Sequence, residues 1–542
     1  MCAAMATSPS TARAPARRPG PPHPSRAGRP PAAIWALALL AFALSLGWSL
    51  LAPAYRAPDE PLHVDLALAV AYEPAYPGAF DRRVSAAVAE TARLAHLSED
   101  GAPELRNGPL RAEVAPPRTD RPSFAELGLG EPTVHPNQMP QHPPLYYGFA
   151  ALVIRALPVD APWDFTVWVL RAADAALVAL VPLFAWAAAR VLTGDLATSR
   201  IAAVLAIAVP QAAHIAGSVN NDNLLTVLGA GLTVLVVRIL AGDTGRRTAL
   251  VVGIVTGLAL LVKAFALVLV GWVALAYAVA AIRARRSMHP AWPAVRAGLV
   301  AVAVAACVGG WWWIRNLGLY GTVQPDAFGA PDAVAGFQHD WMFWAGWFTS
   351  RVVLRFWGQM GWLEVALPWP LVWALFGFMT ALVTAGIAAP PDTRRGRRAD
   401  RLMLLVPLVG MLAAVAVGTA GIYLRTGLPA GVQGRYLYAG LAGLAVVAAV
   451  GAARLAGFQR RRVPAPLLVG VLLLHAYAAV RALRVWWGPA GSTVEESLRA
   501  LVAWAPIPPA AVAAVVAGVV LTAAGGVMFA AADARQPAPG VP

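Results

Sequence analysis

The residues with chemistry to offer fall in six short motifs. The first is Ala57-Pro58-Asp59-Glu60-Pro61-Leu62-His63, directly after an apolar run. Pro61 suits the first turn of a helix, which sets Asp59 and Glu60 at its N-terminus, and His63 follows Asp59 by four residues, one helical turn. Two carboxylates with an imidazole in reach are what a general base or a divalent-cation site needs, although an acidic residue there also simply caps a helix. The second motif, Met139-Pro140-Gln141-His142-Pro143-Pro144-Leu145-Tyr146-Tyr147, uses prolines to stiffen the chain around His142. Its plain reading is a Pro-rich loop end.

Asn220-Asn221-Asp222-Asn223 is the third, with Asp222 either a polar site residue or an ordinary N-cap. Lys263, the fourth, is the chain's single lysine and sits in the apolar stretch Leu260 to Phe265, where a lysine at a helix end could also snorkel to the membrane surface. The last two are arginine motifs: Trp311-Trp312-Trp313-Ile314-Arg315-Asn316-Leu317-Gly318-Leu319-Tyr320-Gly321 and Gln433-Gly434-Arg435-Tyr436-Leu437-Tyr438. Arginine at a headgroup boundary commonly anchors a lipid phosphate; two together can clamp a phosphate bidentately.

These motifs must be positioned by membrane-spanning helices. A hydrophobic share of 58% and a mean hydropathy of +0.60 exceed what a soluble core can hide. Several apolar runs reach about 20 residues, the length that crosses roughly 30 Å of hydrocarbon as a helix. About twelve spans are predicted, near 32–52, 166–189, 200–218, 223–240, 248–262, 264–282, 297–313, 367–388, 402–421, 437–454, 465–482 and 508–530. The fold class is therefore an all-α polytopic transmembrane bundle, 32–530, with a disordered Arg/Pro-rich cytoplasmic tail at 1–31 and a short cytoplasmic tail at 531–542.

The formal charge of +15 resembles a nucleic-acid signal, but the arginines cluster in short segments between apolar runs, as the positive-inside rule expects, so nucleic acid is not a partner. Starting with the basic tail inside, the connections from Arg190 to Arg200, Arg238 to Arg247, Arg283 to Arg296, Arg394 to Arg401 and Arg454 to Arg462 all fall on the cytoplasmic side. The short apolar stretch from Pro143 to Leu157 would break that parity if it crossed, so it is read as an interfacial helix. Two large outer loops result. The first, 53–165, holds more than half of the acidic residues and carries interfacial helices, and the second, 315–366, is rich in tryptophan. With parity set by loop arginines alone, Asp59, His142, Asp222, Lys263, Arg315 and Arg435 share the outer face. Acids for base catalysis beside cations for phosphate suit transfer from a phosphorylated lipid.

The motifs Pro-Asp-Glu-Pro-Leu-His, His-Pro-Pro-Leu-Tyr-Tyr, Arg-Asn-Leu-Gly-Leu-Tyr-Gly and Gln-Gly-Arg-Tyr, with Phe356-Trp357-Gly358-Gln359-Met360-Gly361-Trp362 and Leu367-Pro368, resemble the membrane-protein family called domain of unknown function 2142 from about residue 33 to 485. That family is distantly similar to the GT-C glycosyltransferases, which take sugars from polyprenyl-phosphate donors. The resemblance implies a GT-C-like bundle with a catalytic or metal-linked acid in the first outer loop. Asp59 and His142 match the family's acid and its residue before Pro-Pro-Leu; Glu60 is the alternative acid and Lys263 matches a donor-phosphate lysine loosely.

The resulting expectation is a multi-pass glycosyltransferase of a bacterial cell membrane, both termini cytoplasmic, acting on an envelope glycan, lipid or protein acceptor. Its catalytic acids are Asp59 and Glu60. His142, Lys263, Arg315, Asn316, Arg435 and Tyr436 bind the donor phosphate, and a divalent cation, Mg or Mn, would be held by Asp59, Glu60, His63 and Asp222. The rivals are a transporter or flippase for lipid-linked sugars, for which Arg171 and Asp174 within one span are the main candidates, and a non-catalytic scaffold.

Overall fold

A computed structural model describes residues 28–95, 115–325, 332–390, 396–488 and 491–535. Most of the expected N-terminal tail and of the 531–542 tail lies outside the described residues. Among the described residues ten helices are long and apolar enough to cross a membrane: Ala32–Leu51, Trp163–Thr193, Asn221–Leu240, Ala266–Arg286, Trp292–Tyr320, Trp369–Ala388, Arg398–Thr426, Gly434–Arg462, Pro464–Trp487 and Pro509–Ala532. An eleventh is formed if Leu196–Leu205 and Pro210–Ala216, bent by 68°, count as one broken span. The chain is thus a multi-pass, mostly helical membrane protein, with ten or eleven such spans rather than twelve.

The missing twelfth is the run near 248–262. It forms the helix Arg246–Leu260, whose 15 residues rise only about 22 Å. It nonetheless connects the two ends of the bundle. Arg283, at the end of Ala266–Arg286, donates to Leu240 O at the end of Asn221–Leu240, while Lys263, between Arg246–Leu260 and Ala266–Arg286, bonds Asp222 at the start of Asn221–Leu240. One end of the bundle is arginine-rich and the other carries the candidate chemistry.

Small residues let the spans approach closely. A Cβ on Gly386 would collide with Val447 O, and one on Gly451 with Leu382 O, so Trp369–Ala388 and the helix Leu441–Ala456 pack backbone to backbone. Such contact suits membrane helices, where dispersion and small residues take over from the hydrophobic effect.

The first large connection folds back onto the bundle. Its helix Glu60–Tyr72 packs on Leu145–Arg155, the short apolar helix read as interfacial. Asp65 ties this layer together: Arg82 grips it bidentately at 2.8 and 2.9 Å, Ser85 N donates at 2.8 Å, and Asn137 Nδ2 at 2.8 Å. The same segment holds a two-stranded antiparallel ribbon, Arg83–Ser85 with Pro132–Pro136, and Gln359–Met360 pairs with Val365–Ala366. These two ribbons are the exceptions to an all-helical reading among the described residues.

Candidate active site

The turn before the helix Glu60–Tyr72 is strained. Tyr55 and Asp59 both take left-handed conformations, φ 65° and 64°. Aspartate tolerates that region, whereas for tyrosine it costs about 1–3 kcal/mol and persists only where the surroundings enforce it. The enforcement is visible. Tyr55 N donates to Glu60 Oε2 at 3.0 Å, the Tyr55 hydroxyl is 3.0 Å from Thr91 Oγ1, and Trp362 Nε1 donates to Tyr55 O at 2.9 Å. Arg435 Nη1 donates to Pro58 O at 2.9 Å.

Arg435 reaches this turn because Gly434 lies against the Arg355 carbonyl, where any Cβ would clash, and so holds the start of the helical segment Gly434–Gly440 under the loop. Its guanidinium pairs with Asp59 Oδ2 and lies 3.1 Å from Asp222 Oδ2, an ion contact without hydrogen-bond alignment. Asp222 in turn accepts from Lys263 Nζ at 2.8 Å, and its backbone N–H is capped by Asn220 Oδ1 at 2.9 Å. Lys263 also stands 4.6 Å from the centre of the Tyr436 ring, a cation–π distance. The result is a neutral row, Asp59, Arg435, Asp222, Lys263, from motifs scattered across the chain. Only Asp59 shows itself appreciably to the surroundings, its side chain 25% exposed against 9% or less for the other three.

Aromatic and imidazole groups border the row. His63 Nδ1 lies 2.9 Å from the Tyr147 hydroxyl and its ring stacks on Tyr147. Tyr76 donates to His142 O at 2.8 Å and packs edge-on against Trp312, over which Arg315 lies at 4.9 Å. Burial, then the charges of Arg435 and Lys263, holds His63 well below the usual imidazole pKa; burial, then Lys263, His63 and Arg435, does the same for His142. Burial likewise lowers Lys263, with Asp222 opposing. Both imidazoles are neutral beside a site whose positive charge comes from Lys263 and Arg435.

The sequence matches the family model for a predicted membrane protein, DUF2142, over residues 42–444, well over half of its 542 residues. The chain belongs to the DUF2142 family. No curated protein matches it. Among solved structures it is similar to the crystal structure of ArnT from Cupriavidus metallidurans bound to undecaprenyl phosphate, at 14% identity and TM-score 0.47, covering 92% of this chain and 76% of that one. The apo state of the same protein is similar at 15% identity, with the same TM-score and coverage.

In this DUF2142 protein the neighbouring carboxylates Asp59 and Glu60 part company. Glu60 is 0% exposed, and Arg171 grips it at 2.7 and 2.6 Å while Tyr55 N and Val219 N complete its shell. Such a carboxylate has no free lone pair for an acceptor or a metal, so Glu60 is removed from the catalytic and metal sets and becomes the brace of the turn. The proposed metal set does not converge either. Among the described residues no three His, Cys, Asp or Glu side chains gather in metal-binding geometry. Arg435 bridges Asp59 and Asp222, and His63 turns to Tyr147. The described residues do not fit a divalent cation.

Asn316 is buried, donates to Val323 O at 3.1 Å and accepts from Arg315 at 3.2 Å, so it supports Arg315 rather than facing a ligand. Arg171 and Asp174, the candidates for a transport path in the rival reading, are instead engaged in holding the site together. Arg171 also donates to Ser49 O, Ala52 O and Pro53 O, while Asp174 accepts from Tyr146, Asn220 N and Asn223. An ionisable residue inside an apolar span was the available signal for this scaffold role. Tyr147 and Trp312 lie inside the His142 and Arg315 motifs but carried no assigned role, and Tyr76 was missed, with nothing in its local sequence to mark it.

Proposed function

We propose that this protein is a membrane glycosyltransferase that moves a sugar from a polyprenyl-phosphate donor to a hydroxyl of an envelope glycan, lipid or protein, at the outer face of the cell membrane. The observation that carries the reading is the partly exposed Asp59 carboxylate set in front of buried Arg435 and Lys263. The motif resemblance to GT-C enzymes agrees with it.

In the reaction the acceptor oxygen forms a bond to the anomeric carbon as the bond from that carbon to the phosphate oxygen breaks. The acceptor proton goes to Asp59, and the electron pair leaves with polyprenyl phosphate, which gains one negative charge. That charge develops where Arg435 and Lys263 stand, with Arg315 at the margin, so they stabilise the transition state more than the bound donor. With no donor, Asp59 neutralises Arg435. An arriving phosphodiester competes for the guanidinium and frees the carboxylate to take the acceptor proton. The bilayer keeps the polyprenyl tail while the acceptor enters from water.

The test is purified protein incubated with several polyprenyl-phosphate sugars, following release of free polyprenyl phosphate. Asp59→Asn is expected to abolish release with little loss of folded protein. Release by that variant at the wild-type rate would overturn the assignment.

A further inference from the structure

At the arginine-rich end, away from the row around Asp59, a groove of about 680 Å³ runs along the membrane-facing side of Trp369–Ala388. Gly377, Ala381, Thr384 and Ala388, spaced at helical intervals, form its shallow floor, with Leu455 on its far wall. The groove closes on Arg454, whose Nη1 lies 3.4 Å from Ala385 O.

A second guanidinium stands at the same helix end. Arg401 is 1% exposed and donates to Ala389 O at 2.5 Å, the residue that terminates Trp369–Ala388. Its Nε has no partner among the described residues, and the adjacent carboxylate, Asp400, pairs instead with Arg283 and caps its own helix through Arg397 N. Arg401 feels the charge of Asp400, opposed by those of Arg454 and Arg398. Arg454 and Arg401 thus both contact carbonyls at the C-terminal end of that helix, and Arg398 stands one turn before Arg401 at the start of Arg398–Thr426.

We propose that this groove is a binding site for an anionic phospholipid, with an acyl chain lying over Gly377, Ala381 and Thr384 and the phosphate held by Arg454 and Arg398, in front of the buried Arg401. The apolar floor matches a hydrocarbon chain, and charge complementarity selects an anionic over a zwitterionic headgroup. The site is separate from the proposed transfer reaction, and its failure would leave that proposal standing.

The experiment is native mass spectrometry of the full-length protein, delipidated in detergent and supplied with phosphatidylglycerol or phosphatidylcholine. Wild type is expected to retain phosphatidylglycerol preferentially. Arg454→Ala and Arg398→Ala, both on exposed side chains, should each weaken that retention by roughly fivefold, the equivalent of about 1 kcal/mol per basic residue. Ala381→Leu, which fills the floor, should weaken retention of both lipids. Equal retention of the two lipids by wild type would overturn the proposal, as would retention indifferent to all three substitutions. A dimer that Ala381→Leu dissolves, with no lipid bound, would assign the groove to a second copy of the chain and overturn it too.

Discussion

Replacing Asp222 by Asn should destabilise the protein by about 3 kcal/mol, and removing Lys263 as well should restore most of that loss. Asp222 meets Lys263 at 2.8 Å and Arg435 at 3.1 Å, and all three are buried. At an effective dielectric of about 20, the Lys263 contact alone corresponds to roughly 6 kcal/mol of attraction before desolvation. Desolvation offsets most of it, and removing one partner of a buried pair costs about 3–5 kcal/mol. Asparagine keeps the shape and one acceptor, hence the lower end. In Asp222→Asn, Lys263 and Arg435 face Asp59 as the only carboxylate of the row, leaving one buried positive charge uncompensated. In Asp222→Asn/Lys263→Met the row shrinks to the Arg435–Asp59 pair, which is neutral again.

Thermal or denaturant unfolding in detergent reads the cycle, with an expected coupling of at least about 2 kcal/mol. A second measurement uses the fact that Lys263 is the only lysine, so an amine-reactive probe reports one side chain besides the N-terminus. Asp222 is the group that holds the lysine's proton affinity up against burial. Without its charge the amine deprotonates more easily, and labelling near pH 8 should accelerate. Wild-type stability in Asp222→Asn, no recovery in the double variant, or unchanged labelling would each refute the reasoning.

Two other outcomes are expected. Because burial holds His63 and His142 below the usual imidazole range, the unfolded chain takes up protons below about pH 6.5 that the folded protein refuses. The stability is fully present above that pH and falls on acidification, by up to about 1.4 kcal/mol per pH unit for each histidine; melting temperatures at pH 7.5, 6.5 and 5.5 check this, and His142→Gln should flatten the slope. Gly434→Ala would force a Cβ into the Arg355 carbonyl and push Arg435 away from Asp59, costing about 1–3 kcal/mol and, on the proposed reaction, more than tenfold in polyprenyl phosphate release; release at the wild-type rate would show that Arg435 needs no such placement.

How much of this was legible in the residues depended on what kind of fact was involved. Spans are long-range averages of hydropathy, and each expected span overlaps a helix; the one at 248–262, expected at 15 residues, is a helix of 15 residues and too short to count as a span by length. The common end shared by Asp59, Asp222, Lys263 and Arg435 followed from arginine parity, a property of the whole chain. The separation of Asp59 from Glu60 did not, because adjacent carboxylates are alike until a left-handed residue turns one outward and Arg171, 111 positions along the chain, captures the other. Backbone sign and distant partners are set by tertiary packing, which no local pattern encodes. The ribbon Arg83–Ser85 with Pro132–Pro136 escaped for a similar reason, its strands being too short to show alternation.

The fate of Arg171 and Asp174 bears on the choice between enzyme and transporter. A transport path needs ionisable groups that can exchange partners as access alternates. Arg171 makes five bonds to Glu60, Ser49, Ala52 and Pro53, locking the first span to the strained turn, and Asp174 joins Tyr146 to the Asn220 cap that positions Asp222. Freeing either would unmake the geometry around Asp59. A scaffold that spends its intramembrane charges on rigidity suits a reaction whose groups must already stand in place when charge develops, since preorganised dipoles and cations need no reorganisation at that moment. It suits alternating access poorly, which is why the proposal here is transfer of a sugar and not passage of one.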